Sequence, residues 1–206
     1  MQTQPKDHWQ KVHETADPAA ASWYQPIPER SLELIHAAGL GPAAPILDVG
    51  GGASTLVDHL LTAGFTDLTV LDIAPAALRA AARRLGPRAT QPTWIEGDVL
   101  EFHPTRRYAL WHDRATLHFL TSAADQERYL NTLRNALQSA GHVILATFSP
   151  DGPTRCSGLP VLRHSAESLG ALLGPRFVLR RSFLDLHPTP GGTIQSFLYG
   201  WWQAEA

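Results

Sequence analysis

The sequence predicts an α/β fold: a doubly wound, mostly parallel sheet of seven strands that ends in an antiparallel C-terminal β-hairpin. Short apolar runs alternate with helical patterns between residues 45 and 148, which is typical of parallel strands covered by helices on both faces. After Pro150, two strand-like segments flank a Thr-Pro-Gly-Gly turn at residues 189–192, which predicts the hairpin. A length of 206 residues suits a single domain, residues 1–206.

Residues 1–40 are predicted to form an N-terminal arm and a helix in front of the core, which spans residues 45–206. The arm is polar and rich in proline, yet it contains Trp9, Trp23 and Tyr24. An unattached tail needs no such aromatic side chains. We therefore expect the arm to dock on the core as a lid.

The predicted core elements follow in chain order. Five strands are carried by the segments "PILDVG", "DLTVLDI", "TWIEGDV", "YALWHDR" and "GHVILATFS". Helices are predicted between them, at residues 54–63, 75–85 and 123–139, from apolar residues at helical spacing and from capping signals such as Pro75 and Ser122. A last helix, "SAESLGALLG", precedes the hairpin strands "FVLRRSFLDLHP" and "TIQSFLYGWWQ".

Composition excludes several classes of function. A formal net charge of −2 gives no basic surface for nucleic acid. The N-terminus lacks an apolar signal core, and no apolar stretch reaches the ~20 residues of a membrane helix. The single Cys156 excludes an internal disulfide and a multi-cysteine metal site, and no acidic triad for magnesium is evident. These features predict a soluble, cytoplasmic protein without a metal, whose oligomeric state the sequence leaves open.

The stretch "ILDVGGGASTL", residues 46–56, is the first candidate ligand site. Here an apolar strand carrying Asp48 runs into three glycines, Gly50 to Gly52, just before a helix. In open α/β sheets, ligands bind at the carboxyl ends of the strands, where glycines allow close approach and the next helix presents its N-terminus. A tight turn without a ligand is the simpler alternative.

Two further aspartates end the second and third strands. Asp72 lies 22 residues beyond Gly50, the spacing at which a carboxylate accepts hydrogen bonds from ribose hydroxyls in nucleotide-binding sheets. Asp98 ends the third strand, beside Ile73 and Val99, where an adenine ring would lie. The alternative for each aspartate is a cap on the following loop or helix.

The identity of the nucleotide follows from what the turn lacks. Thr55 occupies the last position of a G-x-G-x-x-G pattern, and no Tyr-x-x-x-Lys pair is present, which disfavours a nicotinamide-dependent oxidoreductase. No lysine follows the turn as a P-loop requires. A ligand that carries adenosine without a phosphate fits the turn better. Such a ligand would suit an enzyme or, as an alternative, a non-catalytic adenosyl-binding module.

The sequence resembles the class I S-adenosylmethionine-dependent methyltransferases, whose fold is Rossmann-like. "LDVGGGAST" is similar to their first motif, "VLDI" to their second and "EGDV" to their third. Ser54 stands where many members have a third glycine. The resemblance covers the chain from Pro45 onward and implies S-adenosylmethionine as cofactor and S-adenosylhomocysteine as product.

The resemblance also implies site residues. Asp48, Gly50 and Gly52 would contact the methionine portion. Asp72 would hold the ribose, and Asp98 with Val99 the adenine edge. The remaining expected cofactor contacts are Ser54 and Ile73 beside these motifs, Asp113 at the end of the fourth strand, and Trp23 and Tyr24 from the lid.

The segment "DRATLHFL", residues 113–120, resembles the "DKGT" stretch of a methyltransferase subgroup that includes eukaryotic protein-lysine methyltransferases. Arg114 and Ala115 replace the lysine and glycine, so the likeness does not carry over the substrate. A compact chain with a short arm favours a small-molecule acceptor, with a protein side chain as the alternative. The acceptor atom, O, N, S or C, stays open.

Candidates for acceptor chemistry cluster after the fourth strand. Asp113 and His118 are the candidate catalytic residues, because a carboxylate or histidine there can accept a proton. His118 is equally compatible with a core-edge position, and His112 is predicted to alternate away from Asp113. Arg114 is a candidate for binding an acidic substrate group or for pairing with Asp113 or Glu127. Cys156 is a candidate substrate contact or a buried small hydrophobe.

Overall fold

A computed structural model describes residues 5–206, and the first four residues of the predicted arm lie outside the described part. The helices are α1 (Pro5–Thr15), α2 (Glu29–Ala37), α3 (Leu56–Thr62), α4 (Pro75–Leu85), α5 (Ala123–Ala136) and α6 (Ala166–Leu173). The strands are β1 (Ile46–Val49), β2 (Leu68–Asp72), β3 (Thr93–Glu96), β4 (Tyr108–Arg114), β5 (Leu137–Phe148), β6 (Arg155–Cys156), β7 (Leu159–Pro160), β8 (Phe177–Pro188) and β9 (Ile194–Ala204).

Seven of these strands form one sheet in the order β3-β2-β1-β4-β5-β9-β8. The strands β1 to β5 are parallel, whereas β9 is antiparallel to both β5 and β8. This arrangement confirms the predicted fold class, including the C-terminal hairpin. Strands β6 and β7 form a separate short antiparallel pair that the sequence analysis did not predict.

The strands β1 and β2 are buried along their whole length, and successive side chains point to opposite faces, so the sheet is covered on both faces. One face packs Leu34 and Ile35 of α2 against Ile46 and Leu110. The opposite face packs the helix α5 against Trp111. On the last strand, Trp202 is buried while Trp201 is partly exposed, and the two adjacent tryptophans pack on opposite faces of the sheet.

Some boundaries differ from the prediction. The helix α3 begins at Leu56 rather than at Ser54, since Ser54 accepts a hydrogen bond from Leu56 N (3.1 Å) through its hydroxyl. The helix α5 ends at Ala136, and β5 already begins at Leu137. In the described arm, the 11 residues Pro5–Thr15 form the helix α1.

Candidate functional site

A cavity of about 660 Å³ opens at the carboxyl ends of β1, β2 and β4. Its size lies within the usual range for small-molecule sites. Residues from the glycine turn, the strand ends, α1, the Ser22–Tyr24 loop and β9 surround it. Of the residues expected to bind a ligand, those that line it are Trp23, Tyr24, Asp48, Gly50, Ser54, Asp72, Ile73, Asp98, Val99, Arg114 and Cys156.

The glycine turn brings backbone to the cavity in a conformation that side chains disfavour. Gly50 has φ +65°, and its N–H donates to Leu71 O (2.7 Å) of the neighbouring strand. A Cβ on Gly51 would lie 2.9 Å from Val70 Cγ1 and would clash with the Asp48 carboxylate. Gly52 is not among the lining residues; a Cβ there would collide with the Asp72 carboxylate. The glycines therefore allow the two aspartates to lie against the turn.

Asp48 lies at the bottom of the cavity in a short buried chain of polar side chains. Its Oδ1 is 2.7 Å from His112 Nδ1, and His112 Nε2 is 2.8 Å from Ser31 Oγ. Within residues 5–206, the other carboxylate oxygen, Oδ2, is buried and has no hydrogen-bond partner. Buried polar atoms normally have a partner, so this oxygen is suited to accept from a ligand.

Asp72 ends β2, Asp98 follows β3, and both line the cavity. Asp72 Oδ1 accepts from Ala74 N (2.8 Å), and Asp98 Oδ1 accepts from Leu100 N (2.9 Å), so each aspartate also caps its own turn. Burial raises the pKa of Asp72 to about 7, the Ala74 N–H opposes that rise, and the charge of Asp48 adds to it. A group that donates hydrogen bonds to Asp72 would offset this cost of burial.

The arm covers the cavity from above. Trp9 of α1 contacts both Trp23 (ring centroids 6.0 Å apart) and Phe119 (4.9 Å) edge to face. Gln10 accepts from Ala76 N (3.0 Å), which fixes α1 to the start of α4. The described arm therefore packs over the cavity, and its role as a lid stays a prediction.

Arg114 connects the end of β4 to the arm and to the last strand. Its Nε donates to Tyr199 Oη (2.8 Å) and its Nη1 donates to Trp23 O (2.9 Å). The guanidinium lies 4.6 Å from the centroid of the Phe197 ring. Neither Asp113 nor Glu127, the two partners considered from sequence, is among its hydrogen-bond partners in the described part of the chain.

The structure places Asp113 away from the cavity. It is buried in the opposite face of the sheet, where its carboxylate accepts from Thr116 N (2.8 Å), Leu117 N (3.1 Å) and Tyr129 Oη (2.6 Å). Burial raises the pKa of Asp113 to about 6, although these hydrogen bonds oppose the rise. Donors from the protein occupy both oxygens of the Asp113 carboxylate, and Asp113 is not among the residues that line the cavity.

The cavity is lined by His112 and not by His118, although His118 was the candidate catalytic residue and His112 was not. His118 is completely buried and does not line the cavity, and burial, followed by the charges of Arg114 and His164, lowers its pKa to about 3. His112, which the sequence analysis set aside, lines the cavity and contacts Asp48. Its alternation away from Asp113 is correct. The register, which pairs His112 with Asp48, turns that alternation toward the site.

Cys156 lines the far side of the cavity from the short strand β6. The side chain is buried, and burial raises the pKa of its thiol. Within residues 5–206, no group of three or more His, Cys, Asp or Glu side chains is arranged to hold a metal ion. No helix in this part of the chain is long and apolar enough to cross a membrane.

Comparisons with known proteins agree with this geometry. Residues 47–143 match the sequence model of a family described as a methyltransferase domain. This segment runs from β1 into β5 and contains the glycine turn and the four aspartates that line the cavity. No curated protein matches the chain.

Solved structures share the fold across nearly the whole chain. The N-methyltransferase NodS from Bradyrhizobium japonicum WM9, in complex with S-adenosylhomocysteine, has 16% identity and a TM-score of 0.75, covering 98% of this chain and 100% of that one. A 1,6-didemethyltoxoflavin-N1-methyltransferase from Burkholderia thailandensis has 21% identity, a TM-score of 0.72 and coverages of 98% and 87%. A SAM-dependent methyltransferase from Anabaena variabilis ATCC 29413 has 16% identity, a TM-score of 0.76 and coverages of 98% and 96%. At these identities the likeness establishes the fold.

Proposed function

Because this chain is a class I S-adenosylmethionine-dependent methyltransferase, we propose that it transfers a methyl group by direct displacement to a small molecule held under the arm. The observation that carries this proposal is the buried Asp48 Oδ2, which has no partner in the described chain and adjoins the glycine turn. An ammonium group is a suitable ligand for such an oxygen, and S-adenosylmethionine carries one on its methionine portion.

The other residues of this end of the cavity fit the same cofactor. Asp72 would accept from the ribose hydroxyls, and Asp98 with Val99 and Ile73 would surround the adenine. Ser54, Gly50 and Gly52 would shape the turn around the methionine portion, with Gly52 acting through the position of Asp72. Trp23 and Tyr24 would close over the bound pair from the Ser22–Tyr24 loop.

The cofactor, when bound, supplies a methyl group on a positively charged sulfur that a nucleophile can displace. The protein contributes orientation and the exclusion of water, which together account for much of the barrier in such a displacement. The aromatic contacts among Trp9, Trp23 and Phe119 serve that exclusion. Positively charged sulfur also favours nearby aromatic faces.

We assign positioning roles to the two residues that were expected to act in catalysis. Asp113 holds the turn after β4 by accepting from Thr116 N and Leu117 N. His118 packs beneath that turn, 4.8 Å from the ring of Phe148. Neither residue acts as a base in this proposal. The acceptor therefore reacts without transferring a proton to Asp113 or His118.

A small-molecule acceptor is supported by the cover over the cavity. The helix α1 and the Ser22–Tyr24 loop both line it, and Arg114 and His187 hold the loop through the carbonyls of Trp23 (2.9 Å) and Ser22 (2.9 Å). A lysine side chain of a protein substrate would have to pass this cover.

The proposal is tested by calorimetric titration with S-adenosylhomocysteine, S-adenosylmethionine and NAD, followed by a screen for methylated small phenols, carboxylates, amines and thiols. We expect the two sulfur nucleosides to bind and NAD not to bind. Asp72→Ala should abolish this binding, whereas Asp151→Asn, at an exposed loop position, should not change it. Preferential binding of NAD would reject the proposal, and nucleoside binding without any methylated product would favour a non-catalytic module.

A further inference from the structure

The cavity has two ends of opposite electrostatic character. The carboxylates among its described lining residues are Asp48 in β1, Asp72 at the end of β2, Asp98 after β3 and Asp125 in the first turn of α5. We call the remaining part the acceptor end and define it by Arg114, Phe148, Cys156, Gln195 and Phe197. Its charged group is a guanidinium rather than a carboxylate.

Arg114 has unused hydrogen-bonding capacity at this end. Its Nε and Nη1 are occupied by Tyr199 and Trp23, but its Nη2 is buried without a partner among residues 5–206. Gln195 Oε1 is likewise buried and unpartnered in this part of the chain. Unsatisfied buried groups are costly, and a charged donor is the costlier kind, so both atoms indicate a polar ligand.

Phe148, Phe197 and Cys156 form the apolar part of the acceptor end. Phe148 and Phe197 lie 4.8 Å apart between ring centroids, and Phe197 carries the Arg114 guanidinium on its face. The Cys156 thiol is un-ionised near neutral pH because burial raises its pKa, so it adds no negative charge. Rings of this kind accept another planar ring, edge-on or offset.

We propose that the methyl acceptor is a small planar aromatic or heteroaromatic molecule with an anionic oxygen, which binds Arg114 Nη2, and a hydrogen-bond donor, which binds Gln195 Oε1. The inference rests on the proposed function, because it names the substrate class of the same site. A protonated amine, including a lysine side chain, is disfavoured because Arg114 would repel it and the acceptor end offers no carboxylate to pair with it.

The test uses three probes of similar size and different charge, titrated into the protein saturated with S-adenosylhomocysteine. Salicylate carries a carboxylate and a hydroxyl, salicylamide is neutral, and 2-(aminomethyl)phenol is cationic near neutral pH. We expect salicylate to bind at least tenfold more tightly than salicylamide, and the amine to bind least. A charge-assisted hydrogen bond to a guanidinium accounts for a difference of this size.

Two variants assign the preference to this end of the cavity. Arg114→Gln should reduce salicylate affinity to that of salicylamide, while Arg155→Gln, at an exposed arginine on β6, should leave it unchanged. Because Arg114 also holds the Ser22–Tyr24 loop, Gln195→Glu provides an independent test. It should weaken salicylate binding and strengthen amine binding, without altering the affinity for S-adenosylhomocysteine.

The outcomes separate this inference from the proposed function. If S-adenosylhomocysteine binds but the amine binds as tightly as the carboxylate, or no carboxylate binds, the substrate class is wrong and the methyltransferase assignment stands. If S-adenosylhomocysteine does not bind, the cofactor assignment in the proposed function is wrong. Salicylate binding that Gln195→Glu and Arg114→Gln both leave unchanged would also overturn the inference.

Discussion

His112 Nδ1 lies 2.7 Å from Asp48 Oδ1, and this buried contact joins two adjacent strands at the bottom of the cavity. Through this contact the Asp48 carboxylate uses its Oδ1. The other oxygen, Oδ2, lies beside the glycine turn and has no hydrogen-bond partner within residues 5–206. His112 is in turn held by Ser31 of α2. The histidine therefore orients the oxygen that we propose binds the cofactor.

Replacement of His112 by Phe should lower the affinity for S-adenosylhomocysteine at least tenfold and the free energy of unfolding by about 1–3 kcal/mol. The physical reason is that a buried carboxylate loses its partner and its orientation. Calorimetry and urea denaturation would measure the two effects. Ser31→Ala, which removes only the outer contact, should have the smaller effect on affinity, and an unchanged affinity in His112→Phe would contradict the assigned role.

The contrast between His112 and Asp113 shows what the sequence could not decide. Alternation along a strand separates the two residues onto opposite faces, but the sequence alone does not say which face meets the cavity. The register decides this: Asp48 is paired with His112, and the core residue Val49 with Asp113. A one-residue shift would exchange them, because side chains repeat every second residue.

The cofactor end was more predictable because each residue follows directly from a strand end. Asp48, Asp72 and Asp98 lie where parallel strands finish, so the order of strands alone brings them to one edge. Arg114 was harder to interpret, since its contacts with Trp23 and Tyr199 join segments that are 91 and 85 positions away in the chain. Such contacts depend on the packing of the arm and the hairpin, for which the sequence carries no local signal.

Asp72→Asn should stabilise the unliganded protein at pH 8 by about 2–4 kcal/mol and abolish cofactor binding. Burial raises the pKa of Asp72 from 3.8 to about 7, so the folded state holds more protons than the unfolded state between these values. Stability therefore falls as pH rises from about 4 to 7 and then levels off. The asparagine keeps an oxygen for Ala74 N but carries no charge.

Urea denaturation of wild type and Asp72→Asn at a series of pH values would measure this difference. The two stabilities should converge near pH 4 and separate toward pH 8. Asp151→Asn is the matched control, because it removes an exposed carboxylate. A constant difference across this range would show that the Asp72 carboxylate is not the source of the effect.

Gly51→Ala should abolish binding of S-adenosylhomocysteine. Its Cβ would lie 2.9 Å from Val70 Cγ1 and would collide with the Asp48 carboxylate, so the turn must move. Gly39→Ala is a suitable control, because Gly39 has φ +68° with open space around its Cβ position. The control should lose about 1 kcal/mol of stability through backbone strain and retain its affinity. Equal affinities in both variants would contradict a close approach of the ligand to the turn.

Tyr129→Phe should destabilise the protein by about 1–3 kcal/mol and change the affinity for S-adenosylhomocysteine less than twofold. The hydroxyl donates to Asp113 (2.6 Å) and accepts from Trp111 Nε1 (2.8 Å), all within the buried face opposite the cavity. Its removal leaves a buried carboxylate with fewer donors. Thermal unfolding and calorimetry would separate the two quantities. A large loss of affinity with little loss of stability would return Asp113 to the cofactor site.

His118→Phe should make the protein less sensitive to acid. The pKa of His118 is lowered from 6.5 to about 3, mainly by burial, so the unfolded state holds more protons than the folded state between these values. Stability therefore rises with pH across this window, by up to about 1.4 kcal/mol per pH unit from this group. In the variant this contribution is absent. Denaturation curves at pH 4.5, 5.5 and 6.5 should therefore show a smaller dependence of the free energy of unfolding on pH.

Phenylalanine also removes two ring nitrogens that have no partner within residues 5–206, so the stability of the variant at pH 7 should be equal to or higher than that of the wild type. A variant that folds as predicted but loses methyl transfer at saturating cofactor would instead show that His118 takes part in the reaction.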